Sequence, residues 1–183
     1  VAVSGHDISP SKRAEAALAE MAWHDELTGL LNRRGFRQLA EQEMSVARRA
    51  GRADLVVALD LVGFKAINDS YGHAEGDAAL REVARVLRTT LRESDILARL
   101  GGDEFVIYAP NGGEDHTALV ARLGEVFAAA NAGAVRAGRP YALRTGIGHA
   151  VLRPGDDLDA LLAKADRSLY ESKAAAGGER RRG

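Results

Sequence analysis

Residues 10–24 carry Ala14, Leu18 and Met21 at helical spacing behind Ser9-Pro10, a common helix opening. Rich in Ala, Glu, Lys and Arg, the segment reads as a short connecting helix, either solvated on its own domain or paired as a coiled coil. Phe36, Leu39, Ala40, Met44 and Ala47 then fall on one face of a second helix that Gly51 closes. The period changes at residues 55–61, a continuous β-favouring apolar run short enough to be a strand buried on both faces. Leu80, Val83, Ala84, Leu87 and Leu91 restore the helical period as a stripe fit to lie on a sheet. Ile96, Ala98 and Leu100 alternate up to Gly101-Gly102, and residues 105–108 follow as a second apolar run, which predicts a β-hairpin. Residues 115–131 read as a helix and 141–151 as a strand, while Leu158, Leu161, Leu162, Ala165 and Leu169 mark a last helix. A frayed tail is expected over residues 177–183.

Strand, helix, hairpin, helix, strand and helix in that order predict an α+β fold, with helices packed around a mainly antiparallel central sheet. The hairpin would carry residues 101–104 at its tip.

Composition refines this picture in a few respects. At 183 residues and 46% hydrophobic, the chain suits one globular domain with short flanks. Its 25 basic and 26 acidic side chains leave a net charge of -1, so no global field draws it to nucleic acid or to an anionic membrane. Phosphate binding, if any, is local. The absence of cysteine excludes disulfides and thiolate metal sites and fits a reducing compartment, with the cytoplasm expected. The longest apolar runs fall far short of the roughly 18 residues of a spanning helix. The chain opens on Val1 without a charged and apolar leader, so it reads as a fragment of something longer.

The candidate chemistry lies in carboxylates. Asp60 ends an apolar strand, where desolvation of its charge calls for a partner such as a cation. Asp103 and Glu104 follow a glycine turn, where backbone can approach a ligand closely. Together they would offer hard oxygen donors suited to Mg2+ or Mn2+, with substrate phosphates completing the shell. Asp-Glu after Gly-Gly is, on its own, also a common solvated turn.

Gly101-Gly102-Asp103-Glu104-Phe105 resembles the signature of the GGDEF family, the bacterial diguanylate cyclases, whose fold is nucleotidyl-cyclase-like. Asp25-Glu26-Leu27-Thr28-Gly29-Leu30-Leu31-Asn32-Arg33-Arg34 is similar to the family's opening segment. Phe64-Lys65-Ala66-Ile67-Asn68-Asp69, with Tyr71-Gly72-His73 and Gly76-Asp77, resembles its nucleotide segment, and Ala165-Asp166, Leu169-Tyr170 and Lys173 resemble its closing helix. The resemblance implies a GGDEF domain over residues 25–176, following a linker helix at 10–24 and the end of a PAS-like sensor domain at 1–9.

It also implies the activity: two GTP condense to cyclic di-GMP with release of pyrophosphate, by attack of a 3′-hydroxyl on an α-phosphate across a homodimer. Asp60, the carbonyl of Leu61, and Asp103 would hold the metal with Glu104 beside them, and Asp103 is the favoured proton acceptor. Phe64, Lys65, Asn68, Asp77 and Lys173 would bind substrate. Asp77 can accept from N1–H and N2–H of guanine, and Asn68 can serve the same base; alternatively Asp77 caps a helix and Asn68 closes a turn. Both lysines are also of a type that is usually just solvated. Arg92 and Asp95 resemble the family's inhibitory product site, where they would contact guanine of cyclic di-GMP, although i, i+3 spacing alone fits a surface ion pair.

Two features depart from the pattern: Val62 stands where a second acidic residue is usual, and the closing arginine is displaced to Arg180. They keep open the alternative reading, a silent regulatory domain that binds GTP or cyclic di-GMP. Trp23 reads as a packing anchor, and His24, His73 and His149 as local or surface residues.

Overall fold

The computed structural model describes residues 22–136 and 138–179. The PAS-like end at 1–9, Arg180 and most of the expected linker helix lie outside the described residues. Of that helix only residues 22–24 are described, as a turn leading to an isolated bridge between His24 and Leu31.

Among the described residues the elements are α1 (Arg33–Ala50), β1 (Leu55–Leu61), α2 (Phe64–Tyr71), α3 (His73–Thr90), β2 (Ile96–Gly101), β3 (Glu104–Ala109), α4 (His116–Arg136), β4 (Thr145–Val151) and α5 (Leu158–Glu179). The strands form one antiparallel sheet in the order β2-β3-β1-β4, so the α+β expectation holds. The final helix continues through 177–179, residues expected to belong to the tail.

Side chains alternate across a pleated strand, and β1 and β3 feed two separate cores. Leu55, Val57, Leu59, Phe105 and Ile107 meet the stripe of Leu80, Val83 and Leu87 on α3, with Leu123 and Phe127 of α4. Val56, Ala58, Val106 and Tyr108 face the other way, toward Phe36, Ala40 and Met44 of α1 and Leu161 and Ala165 of α5. The second face needs very close packing at β4: a Cβ at Gly148 would fall 2.1 Å from the Leu169 amide nitrogen. Only glycine admits α5 that near the sheet, and this draws the helix across the end of β1.

Two elements differ from expectation. Residues 64–71 form a helix that hydrophobic periodicity did not mark, because a segment of eight residues buries a single large apolar side chain, Ile67. Gly72, with φ 86 and ψ 162, ends it and starts α3 in one residue. The expected strand 141–151 begins only at Thr145. Asn131 of α4 replaces a neighbouring strand ahead of it: its Oδ1 accepts from the Leu143 amide at 2.7 Å and its Nδ2 donates to the Leu143 carbonyl at 2.8 Å.

The end of the sheet away from the hairpin tip is held by a buried charge. Asp54, fully buried, accepts from Arg52 at 3.0 Å, from the Tyr108 hydroxyl at 2.7 Å and from the Asn111 amide at 2.9 Å. Its carbonyl accepts from the Leu152 amide at 2.8 Å. One residue thereby ties the starts and ends of β1, β3 and β4 to the segment after α1. Asp54→Ala leaves the buried Tyr108 hydroxyl without its partner and the Arg52 guanidinium, 22% exposed, with Glu43 alone, and is expected to cost about 1 to 3 kcal/mol in urea unfolding. A loss below about 1 kcal/mol would show that water replaces the carboxylate.

Candidate active site

Asp60 is set by register. It pairs with Glu104 on β3 and with Gly146 on β4, so the hairpin tip and the last strand flank it on either side. Its Oδ2 is engaged by the ammonium of Lys173 on α5, while its Oδ1 is buried and has no hydrogen-bond partner among the described residues. Gly146 keeps that oxygen clear, because a Cβ there would stand 2.8 Å from it and 2.9 Å from the Lys173 side chain.

Asp60, Leu61, Phe64, Lys65, Asp103 and Lys173 line one cleft of about 810 Å³. These six expected site residues therefore meet where β1 runs into α2 and the hairpin tip comes across. Glu104 is placed differently. Although it is the cross-strand partner of Asp60, it lines an adjoining cavity of about 290 Å³ shared with Asp60, and its carboxylate lies 3.7 Å from Arg33. Among the described residues no three His, Cys, Asp or Glu side chains are grouped closely enough to hold an ion. The expected convergence of three carboxylates is thus incomplete: Asp60 and Asp103 share the cleft, and Glu104 is turned to an exposed arginine.

Whether these residues suit a divalent cation is decided by Asp60. A carboxylate held out of water with one oxygen unpaired and the other on an ammonium group is short of positive charge, and oxygen donors are what Mg2+ and Mn2+ take. The residues fit such an ion.

Sequence reasoning missed Arg144, which lines the same cleft and whose carbonyl accepts from the Val62 amide at 2.7 Å. The signal was faint, since a lone arginine before a strand looks solvated. Val62 itself is 37% exposed and presents an apolar side chain to the cleft.

Asn68 and Asp77 sit on α2 and α3. Asp77 does not cap α3, which starts at His73 with Gly72 as its cap and holds Asp77 inside it, whereas Asn68, in the last turn of α2, accepts from the Gly72 amide at 2.9 Å through its carbonyl and so closes that turn. The Asn68 carboxamide rests directly on Gly76, where a Cβ would come within 1.9 Å of its Oδ1 and 3.3 Å of the Phe64 ring. Phe64, Asn68 and the residue before Asp77 are therefore in one packed group.

Arg92 and Asp95 lie on the turn ahead of β2, at the opposite end of that strand from Gly101. Asp95 accepts from the backbone amide of Arg92 at 2.8 Å, so the surface ion pair between their side chains is replaced by a turn. The pair lines a cavity of about 170 Å³ together with Arg122 of α4. Among the remaining residues, Trp23 packs on the first turn of α1 beside Gly35, and His149 stacks on His116 at 5.0 Å. Burial, with the neighbouring His116, lowers the His149 pKa.

Residues 22–179 match the family described as diguanylate cyclase, GGDEF domain. The chain is 36% identical over 173 residues to the diguanylate cyclase DgcM of Escherichia coli K12, covering 92% of this chain and 40% of that protein. It is also 36% identical over 168 residues to the cyclic di-GMP phosphodiesterase NbdA of Pseudomonas aeruginosa, covering 88% of this chain and 20% of that protein. The chain thus spans well under half the length of these curated relatives. Among solved structures, the coiled coil and GGDEF domain of DgcB from Caulobacter crescentus in complex with c-di-GMP superposes with a TM-score of 0.80 at 26% identity, over 90% of this chain and 87% of that one. A sensory box/GGDEF family protein from Caulobacter crescentus gives 0.73 at 34% identity, over 84% of this chain and 99% of that one. Among the described residues no helix is long and apolar enough to cross a membrane.

Proposed function

The chain belongs to the GGDEF domain family, and from that premise we propose that it is a diguanylate cyclase, condensing two GTP into cyclic di-GMP and two pyrophosphates. The observation that carries this reading is the desolvated Asp60, with one free oxygen, sharing a cleft with Asp103 of the hairpin tip. Asp60, the Leu61 carbonyl and Asp103 would hold Mg2+ or Mn2+ with Glu104 beside them. Such an ion supplies neutralisation of phosphate charge.

Lys65, Arg144 and Lys173 line the same cleft and match a polyphosphate in charge. Lys173 holds the Asp60 carboxylate in the free chain and can transfer to phosphate as substrate enters. Asp103 is placed on the tip to accept the proton of the attacking 3′-hydroxyl, whose oxygen bonds to the α-phosphorus as pyrophosphate leaves. Guanine is selected by Asp77 and Asn68 beside Phe64. Adenine lacks the paired donors and would leave a partly buried carboxylate unsatisfied. Because the product contains two equivalent linkages between identical nucleotides, two copies related by a two-fold axis each present one hydroxyl to the other's phosphate. Cyclic di-GMP then binds the Arg92 and Asp95 cavity, away from the carboxylates, and lowers further synthesis.

Incubation with GTP and magnesium, followed by mass identification of the product, tests the reading directly. Cyclic di-GMP is expected; GTP binding with no product would leave a regulatory binding domain instead. Asp60→Asn or Asp103→Asn should abolish synthesis with the far-UV spectrum unchanged, and near-normal turnover by either would remove the metal assignment. For base selection, Asp77→Ala should narrow the preference for GTP over ATP by roughly tenfold or more, the worth of one unpaired buried acceptor. An unchanged ratio in competition binding would take Asp77 out of the base site. At the regulatory cavity, Arg92→Ala should weaken cyclic di-GMP binding in calorimetry, and equal affinity in the two proteins would exclude Arg92.

A further inference from the structure

The opening segment around Asp25 plays no part in the chemistry above, yet it is built into the hairpin. Residues 22–32 form a clasp on the outer edge of β2. Leu31 bridges Ala98 in parallel, its amide donating to Leu97 O at 3.3 Å and its carbonyl accepting from Arg99 N at 2.9 Å. Asn32 locks the clasp to α1: its Nδ2 donates to the carbonyls of Ala22 and His24, while its Oδ1 accepts from the amides of Arg34 and Gly35.

Arg99 spans the gap from this clasp to the signature. Its Nη1 donates to both oxygens of Asp25, at 2.8 and 3.1 Å, and its Nε donates to the Gly102 carbonyl at 2.8 Å. Both partners of the ion pair are mostly buried, with Arg99 12% and Asp25 19% exposed. Asp25 is fixed in turn by the Thr28 amide at 2.9 Å and the Thr28 hydroxyl at 2.6 Å.

The turn itself has little else to hold it. Gly101 and Gly102 both lie at positive φ, 145 and 51, and among the described residues nothing stands within 4 Å of where a Cβ would be on either. Side-chain packing therefore does not fix the tip, and two glycines leave its backbone free. The register between Arg99 and Gly101 is also shifted, which interrupts the ladder just before the turn. Arg33 adds a contact to the Leu100 carbonyl and the ion pair to Glu104, but both side chains of that pair are more than 60% exposed and it contributes little.

We propose that Arg99 is a positioning residue for the Gly101–Glu104 tip, and that Asp25 makes the placement of Asp103 depend on the clasp ahead of α1. The proposal rests on the cyclase reading only for its effect on turnover. Its partner is internal: the segment through which residues 1–21 join the domain. A change in how that segment seats on β2 moves Asp25, then the Arg99 guanidinium, then the Gly102 carbonyl, one residue from Asp103. A shift of about 1 Å at a reacting group can cost up to about a hundredfold in rate, so a small movement of the clasp suffices.

The test uses the full 183-residue chain. In Asp25→Asn the amide oxygen still accepts from Thr28, so the clasp keeps its fold while losing the charge that orients Arg99. Backbone order parameters from 15N relaxation at Gly101, Gly102 and Asp103 should fall from the rigid range of about 0.85 toward about 0.6 in Asp25→Asn and in Arg99→Gln, with β1 unaffected. In turnover assays kcat should drop by roughly ten- to a hundredfold with KM for GTP nearly constant, Asp25→Glu should recover most of it, and the double variant should be no slower than Arg99→Gln alone. A merely stabilising ion pair would lower Tm and leave kcat intact well below it. An unchanged tip, or a loosened tip with wild-type kcat, overturns the proposal. If the wild-type chain makes no cyclic dinucleotide, the cyclase reading falls on that result alone, and the order parameters still decide whether Asp25 positions the tip.

Discussion

Burial on both faces makes β1 the axis of the domain, and it makes the strand's polar residues costly. Two carboxylates lie at its ends, and each is treated differently. Asp54, just before the strand, is surrounded by donors from Arg52, Tyr108 and Asn111 and serves the fold. Asp60, near the other end, has an ammonium group on one oxygen and, among the described residues, no partner on the other. Desolvating a charge without pairing it fully is unfavourable, so the incompletely paired end is where the molecule can still gain from a cation or a donor. Much of the surrounding structure keeps that oxygen free: Gly146 opposite it carries no side chain, and α5 lies close enough to the sheet to bring Lys173 over the strand end.

The same sheet separates two candidate sites. Arg92 and Asp95 precede β2 while Gly101 ends it, so the six residues of that strand hold the cavity and the hairpin tip about 20 Å apart. Antiparallel pairing of β2 with β3, and of β3 with β1, makes this spacing stiff. A ligand in the cavity is therefore too far from the tip to touch it. On the proposed reading, product acts by changing how two domains meet, not by reaching the carboxylates.

How much of this was legible in the sequence follows from how each feature is encoded. The strand at 55–61, the hairpin and the stripes of α1, α3 and α5 are periodic, and periodicity reports burial directly. The short helix α2 escaped because one buried side chain, Ile67, sets no period. β4 was read four residues too long because the Asn131 side chain stands in for a strand, a long-range substitution invisible to a local pattern. The site divides in the same way. Asp60, Asp103, Lys65 and Lys173 were readable from the motifs and do share a cleft, whereas Arg144 carries no motif. The turn of Glu104 toward Arg33 depends on where α1 begins, and the link to Gly102 runs through Asp25 and Arg99, which are 74 positions apart. Asp25 was visible as part of a motif, but only the fold gives it a partner. Burial alone would raise its carboxyl pKa, and the hydrogen bonds from Thr28 and Arg99 hold it below the ordinary value.

Val62 takes on a different meaning once the cleft is seen. As a departure from the family pattern it reads as a lost second acid, with the expected metal contacts on Asp60 and the Leu61 carbonyl retained. In the structure its amide serves the Arg144 carbonyl and its side chain lines a cleft where Lys65, Arg144 and Lys173 stand against Asp60 and Asp103. An acidic residue at 62 would balance those charges; valine leaves the cleft with a cationic excess although the chain as a whole carries -1. Field lines in a cleft with low-dielectric walls are focused on its contents, so the excess acts on a polyphosphate far more strongly than the same charge on an open surface. On the proposed reading, valine at 62 leaves more of the attraction for phosphate to fixed cations of the protein, while Asp60, through its unpaired Oδ1, and Asp103 keep oxygen donors for an ion.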